Sequence, residues 1–385
     1  MRIILGSNAL AGYPQGGGLW SIYLQYLLGL RALGHDVFLL EVLRRSPRPE
    51  LDRRGIGIFL ERLRRWGFGN RSALLLYDGE GGQTIGDDRL YGMAIGHLRE
   101  IIHSADVLWN FHHSIRRPLL DEFKFKALLD LDPGILQISA LTRDLDIHEH
   151  DLLFTVGLNM SEETCEVPRL GLQWQPFLPP VYLPMWEASP LTTDASAITS
   201  VVHWNWGAEF HLDGRIFNDS KREAYLRFID LPCRCSANFL LAASIRPNDV
   251  TGDRELLTQH RWKLVHPYEC ALTVASYQRF IRDSMAEFNC AKSVYTGLRT
   301  GWFSDRSAAY LASGRPVLAE DTGFADHLPT GLGLLSFRTL DQAAEAVDEL
   351  LANYPRHQKA AREIAESCLS AEHVLERMVE SCGYA

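Results

Sequence analysis

Gly301-Trp302-Phe303-Ser304-Asp305-Arg306-Ser307-Ala308-Ala309-Tyr310-Leu311-Ala312-Ser313-Gly314-Arg315-Pro316-Val317-Leu318-Ala319-Glu320-Asp321-Thr322-Gly323-Phe324 is the most informative stretch of this 385-residue chain. Ser304 or Asp305 is suited to cap a helix over 306–313. Gly314 stops that helix, Pro316 to Ala319 reads as the next strand, and Asp321 to Phe324 as the loop beyond it. Upstream, Ser293 to Thr296 reads as a strand with Lys292 just before it. Arg279, Arg282 and Glu287 are assigned to the helix leading there. Two loops then fall at the carboxyl ends of parallel strands, where open α/β sheets bind ligands. Ser304, Arg306 and the helix N-terminus suit a diphosphate.

The same alternation runs through the rest of the chain. Arg2 to Leu5 is an apolar strand, followed by the glycine-rich loop with Gly16, Gly17 and Gly18. A helix over 19–33, apolar nearly all round and therefore buried, ends at Gly34. Val37 to Glu41 is the next strand, and Ala73 to Tyr77, Asp106 to Asn110, Ala127 to Leu131 and Leu152 to Val156 follow. The arginine-rich segment from Arg44 is read as a solvated connection, broken by Pro47 and Pro49, with a helix from about Ile56 to Trp66. Prolines from Pro176 to Pro190 and the polar run to Ser196 mark a boundary. Beyond it the strands Ala197 to Val202, Asn238 to Ala243 and Trp262 to Val265 restart the pattern, and residues from Leu340 onward are helical. The expected architecture is two Rossmann-like α/β domains with parallel sheets facing a cleft. They span 1–190 and 191–370, and a helical C-terminal tail, 371–385, returns to the first.

Composition narrows the function. Hydrophobic residues make up 46% and charged residues 23%, which is ordinary globular usage and excludes disorder. A net charge of −9 is the wrong sign for a passive nucleic-acid coat, although it leaves room for a local basic groove. No window approaches the roughly 20 apolar residues of a membrane span, and the N-terminal apolar run is too short for a secretory signal. Seven dispersed cysteines fit reduced thiols, so a cytoplasmic location is expected.

The pattern of strand, Gly-Trp-Phe-Ser loop, helix, Ala-Ser-Gly-Arg-Pro-Val and Asp-Thr-Gly-Phe resembles the donor-binding half of GT-B glycosyltransferases. It is most similar to family-1-like bacterial enzymes and the spore-maturation type. The resemblance is strong over roughly 260–345; Gly16 to Gly18 and Gly34-His35-Asp36-Val37 add a shorter match. It implies a nucleotide-sugar, UDP-linked, as co-substrate, with no further cofactor and no metal, and an acceptor of unidentified class. Carried over, Trp302, Ser304, Asp305 and Arg306 fall in the diphosphate turn. Asp321, Thr322, Gly323 and Phe324 fall in the loop facing the donor sugar, and Lys292 is a phosphate cation. Related retaining enzymes place a ribose-gripping glutamate on the helix, where this chain has Ala308 and Ala309; Asp305 or Glu320 are the available substitutes.

Other candidates come from position alone. His112 and His113 follow a strand at the cleft, and His113 is the first general base, with Asp132 the alternative. Gly16 to Gly18 form a cleft loop. Trp204 and Trp206 are placed to stack on a sugar or base, and Arg246 and Glu287 to touch the donor. His148-Glu149-His150 lacks metal-protease spacing. Three other readings are weighed, one of them a non-enzymatic binding protein that keeps the fold without the ribose glutamate. A DNA-base glucosyltransferase would use the arginines of Arg44 to Arg71, and a nicotinamide-dependent oxidoreductase would use the glycine-rich loop.

Overall fold

The computed structural model describes residues 1–79, 82–86, 89–190, 197–245 and 249–383. Arg246 and residues 191–196 of the expected boundary lie outside the described residues. Eight strands form the first sheet: β1 (Arg2–Ser7), β2 (Asp36–Arg44), β3 (Ser72–Tyr77), β4 (Leu90–Tyr91), β5 (Val107–Phe111), β6 (Lys126–Asp130), β7 (Leu152–Thr155) and β8 (Gln175–Pro176). Their spatial order is β4-β3-β2-β1-β5-β6-β7-β8, parallel except at the β3–β4 edge.

The second sheet contains β9 (Ala197–Val202), β12 (Asn238–Ala243), β13 (Lys263–Val265), β14 (Ala286–Asn289), β15 (Val317–Glu320) and β16 (Leu334–Phe337). A small antiparallel hairpin, β10 (Glu209–Leu212) and β11 (Arg215–Asn218), stands between β9 and β12 in the chain. The sheet is ordered β13-β12-β9-β14-β15-β16 and is parallel throughout. Strand order reverses between β1 and β5 in one sheet and between β9 and β14 in the other. Each reversal opens a crevice at the carboxyl ends of its strands.

Three sequence expectations are corrected. Ser293–Gly297 is a helix, not a strand. The strand of that region is β14, so Glu287 lies in the sheet and not on a helix. The arginine-rich segment is helical from Pro49 to Arg65. Proline is tolerated at the first helical position, where its missing N–H costs nothing, so Pro49 begins the helix instead of breaking it.

The helix Gly17–Ala32 is buried nearly all round, as its composition predicts. Tyr23 and Tyr26 meet Phe111 of β5 at ring separations of 4.9 and 4.8 Å. The helix Ala371–Gly383 comes so close that a Cβ on Gly29 would lie 2.6 Å from Leu375 Cδ1. At its start, the Gly17 amide donates to the Ala271 carbonyl at 2.9 Å, joining the first sheet's side to the second. The Asn159 amide donates to Thr300 O at 3.1 Å, and Gly157 bridges to Trp302.

Gly17 therefore has no room for a side chain, since a Cβ would press on the Thr273 and Ala271 carbonyls. Gly17→Ala is expected to destabilise the protein by about 1–3 kcal/mol, as overpacking at a close contact does. The check is a urea unfolding midpoint, which should fall without a change in helical content.

Candidate active site

The two crevices meet in one cavity of about 360 Å³. From the first sheet's side it is lined by Gly18 and Tyr23 of the first helix, by His112 after β5, and by Asp132 after β6. The second side supplies Val201 of β9, Trp206, Lys221, Tyr277, Lys292, Tyr295, Trp302 and the turn Ser304-Asp305-Arg306 with Ala309. A larger cavity, about 740 Å³, opens between the β8 edge and the helix Ala371–Gly383. The smaller one is the candidate because it gathers strand ends from both reversal points.

Three cations converge on it. Arg306, in the first turn of the helix Asp305–Ala312, turns inward to a salt bridge with Glu287 of β14. Its other nitrogens donate to Val201 O at 2.7 Å and Asn289 Oδ1 at 2.8 Å. Glu287 is fully buried, so its role is to hold this arginine. Lys292 pairs with Asp132 at 3.0 Å across the cavity, and the Tyr295 hydroxyl donates to the same carboxylate oxygen.

Lys221, at the start of the helix Lys221–Leu226, is the third. It donates to the Cys290 carbonyl and lies 5.2 Å from the Trp302 ring centre. No carboxylate pairs with it among the described residues. Burial, then the charges of Arg306 and Lys292, push its ammonium down to about 7. Sequence reasoning missed Lys221, because a lone lysine in a polar segment carries no motif.

Ser304 caps the helix, its hydroxyl accepting from the Arg306 amide at 3.2 Å. Asp305 opens on the cavity with no side-chain partner among the described residues, and burial raises its carboxyl to about 7. Trp302 stacks on Tyr295 with ring centres 4.5 Å apart. Trp206 stacks on His203 at 3.7 Å and stays 60% exposed at the rim. His112 and His113 both have left-handed backbones, φ 50° and 51°. Consecutive non-glycine residues in that region store strain, and strain concentrates at functional sites.

Several sequence candidates are placed elsewhere. It is His112, not His113, that lines the cavity. His113 has a buried Nδ1 with no partner, and burial with the nearby Arg116 lowers its ring to about 4. Burial likewise lowers His112, which is neutral at pH 7. Trp204 is buried and donates to Asp253 Oδ2 at 2.9 Å. None of Asp321–Phe324 lines the cavity. Asp321 pairs with Arg338 at 2.6 Å, Thr322 donates to Trp302 O at 2.6 Å, a Cβ on Gly323 would meet Asn159, and Phe324 is buried on Phe303. Glu320 cannot replace the missing helix glutamate, because it binds Arg227 at 2.7 Å and accepts from the Ala291 amide at 2.9 Å. Ala309 lines the cavity, and Ala308 is fully buried. Gly16 is closed over by the Tyr13 ring and the Gly17 amide is already bonded, so the loop does not cradle a pyrophosphate as the nicotinamide reading requires.

Comparison with known proteins agrees with this geometry. Residues 235–382 match the family described as Glycosyl transferase-like. A search by sequence finds no match among curated proteins. By structure, Anabaena Alr3699/HepE in complex with UDP superposes with a TM-score of 0.61 at 11% identity over 100% of both chains. An alpha-glucosyltransferase (AGT) in complex with UDP gives 0.59 at 12%, again over 100% of both. The chain has the GT-B fold of these enzymes, and its residues 235–382 are glycosyl transferase-like. Sucrose-phosphate synthase from Thermosynechococcus elongatus shares the fold at a TM-score of 0.56 and 11% identity, over 99% of this chain and 98% of that one. In this GT-B protein, the matched segment contains β14, β15 and the Ser304–Arg306 turn.

Arg306 and Glu287 form a buried pair, so removing one partner strands the other. Glu287→Ala is expected to cost about 3–5 kcal/mol, read as a lower urea midpoint. Glu287→Leu combined with Arg306→Met should recover most of that loss, because the pair is exchanged for apolar contacts.

Proposed function

We propose that the cavity binds the diphosphate of a UDP-linked sugar and transfers the sugar to an acceptor hydroxyl. The observation that carries this is the convergence of Lys221, Lys292, Arg306 and the N-terminus of the helix Asp305–Ala312 on one cavity between the two sheets. Cations beside a helix N-terminus together favour a polyanion. A volume of about 360 Å³ lies within the range of small-ligand sites. The UDP complexes of the structural relatives support the same donor. Residues 1–190 then form the acceptor side and 191–370 the donor side, with 371–385 as a brace.

In the reaction, the bond between the anomeric carbon and the phosphate oxygen breaks, and its electron pair leaves with UDP. Lys221 and the positive end of the helix Asp305–Ala312 stabilise the growing negative charge on that oxygen. The anomeric carbon gains a bond to the acceptor oxygen. We assign the acceptor proton to His112, the one imidazole among the described lining residues and neutral at pH 7. Trp206 and Trp302 supply ring faces for the uracil and the sugar. No residue of the Arg44–Arg71 segment lines this cavity, so the acceptor is not assigned to DNA.

Lys221→Met keeps the aliphatic length and removes the charge. UDP affinity, measured by calorimetry, is expected to fall about 10–100-fold, the range of a lost charge-assisted contact. The pH dependence has a definite sign. Below pH 7 the free lysine is already charged. As pH rises through about 7 the free form loses its proton, and binding must restore it. UDP affinity should therefore weaken above pH 7 with proton uptake, and Lys221→Met should flatten that slope.

A further inference from the structure

Asp132 occupies an unusual place in this cavity, and the role assigned to it rests on the proposed UDP-sugar donor. It sits at the carboxyl edge of the first sheet, where its amide donates to Asp130 Oδ1 at 3.0 Å and fixes the turn. Its carboxylate reaches across to the second side, where Lys292 at 3.0 Å and the Tyr295 hydroxyl share its Oδ1. Tyr295 is held by its stack on Trp302. Lys292 is only 16% exposed, and Asp132 is its sole carboxylate partner among the described residues. Asp132 itself is 37% exposed and open to the cavity.

A nearly buried ammonium needs an anion, because an unpaired charge away from water is costly. Here that anion is Asp132. An arriving diphosphate brings more negative charge to the same ammonium, and a carboxylate beside it would repel that charge. Both anions cannot hold Lys292 in the same geometry. We propose that Asp132 is an internal stand-in for the donor diphosphate, holding Lys292 until a diphosphate displaces it. It is a positioning residue that sets a threshold. A diphosphate carries enough charge to take the lysine, whereas a neutral sugar does not. Displacement also breaks the one ion pair that joins the two sides across this cavity, so donor arrival frees the acceptor side to adjust.

The test is UDP binding by calorimetry to the wild type, Asp132→Asn, Lys292→Gln, the double variant and Tyr295→Phe, with melting temperatures alongside. Asparagine keeps the shape and removes the competing charge. Asp132→Asn is expected to bind UDP about tenfold more tightly than the wild type. Lys292→Gln should bind more weakly, and the gain should vanish in the double variant because the freed lysine is its source. Tyr295→Phe loosens the carboxylate without touching its charge and should tighten binding about threefold. A folded Asp132→Asn that binds UDP no better than the wild type overturns the proposal, since a merely structural aspartate would give unchanged or weaker binding. If Asp132→Asn does not fold, Tyr295→Phe decides in the same way. UDP binding to none of the five proteins would instead defeat the donor reading and this proposal with it.

Discussion

The donor side of this cavity hangs on one buried ion pair, Arg306 with Glu287. The pair ties the first turn of the helix Asp305–Ala312 to the middle of β14, and through Val201 O to β9. Those two strands flank the reversal point of the second sheet. Without the arginine, Glu287 would be a lone charge in the sheet; without the glutamate, the helix would lose its anchor. The pair thereby aims the helix N-terminus at the cavity. Lys292 and Lys221 are set around it by the loop after β14 and by the helix Lys221–Leu226. Burial and, after it, the crowding of these cations lower Lys221, and an anion arriving in the cavity relieves that crowding.

That same pair explains why part of the fold was hard to read. Ala286–Asn289 alternates apolar with polar residues, and buried Glu287 and Asn289 are both bonded by Arg306. A period-based reading assigns such residues to a solvated helix face. Ser293–Gly297 failed in the opposite sense: valine, tyrosine and threonine favour strands, but the segment follows a strand end and turns as a helix under tertiary packing. The long apolar runs of β1, β2, β5, β6 and β7 were legible, because both faces of a parallel sheet are covered. So was the capped, glycine-stopped helix at 305–312, whose signals are local.

The site was legible in outline only. Chain position picked out Gly18, His112, Asp132, Lys292, Trp302 and the Ser304–Arg306 turn, which line one cavity. It could not tell His112 from His113, which differ by one residue and point differently after a left-handed turn. Nor could it find Lys221, whose meaning comes only from Trp302 and Cys290, which lie far along the chain. The loop Asp321–Phe324 shows the reverse case. Its residues match a donor-loop pattern, yet here Arg338, Trp302 and Asn159 hold them in structural contacts. At 11–12% identity, the structural relatives share the fold with this chain.

The chain has nine tryptophans, and among the described residues Trp206 is the only exposed one. Its indole lies flat on His203 at the lip of the cavity. An exposed indole emits to the red of buried ones and is open to collisional quenchers, and a stacked imidazole quenches it further when protonated. This protein consequently carries its own optical probe at the mouth of the cavity. A molecule filling the cavity shields that one ring from iodide or acrylamide, and the signal separates by wavelength from the interior tryptophans.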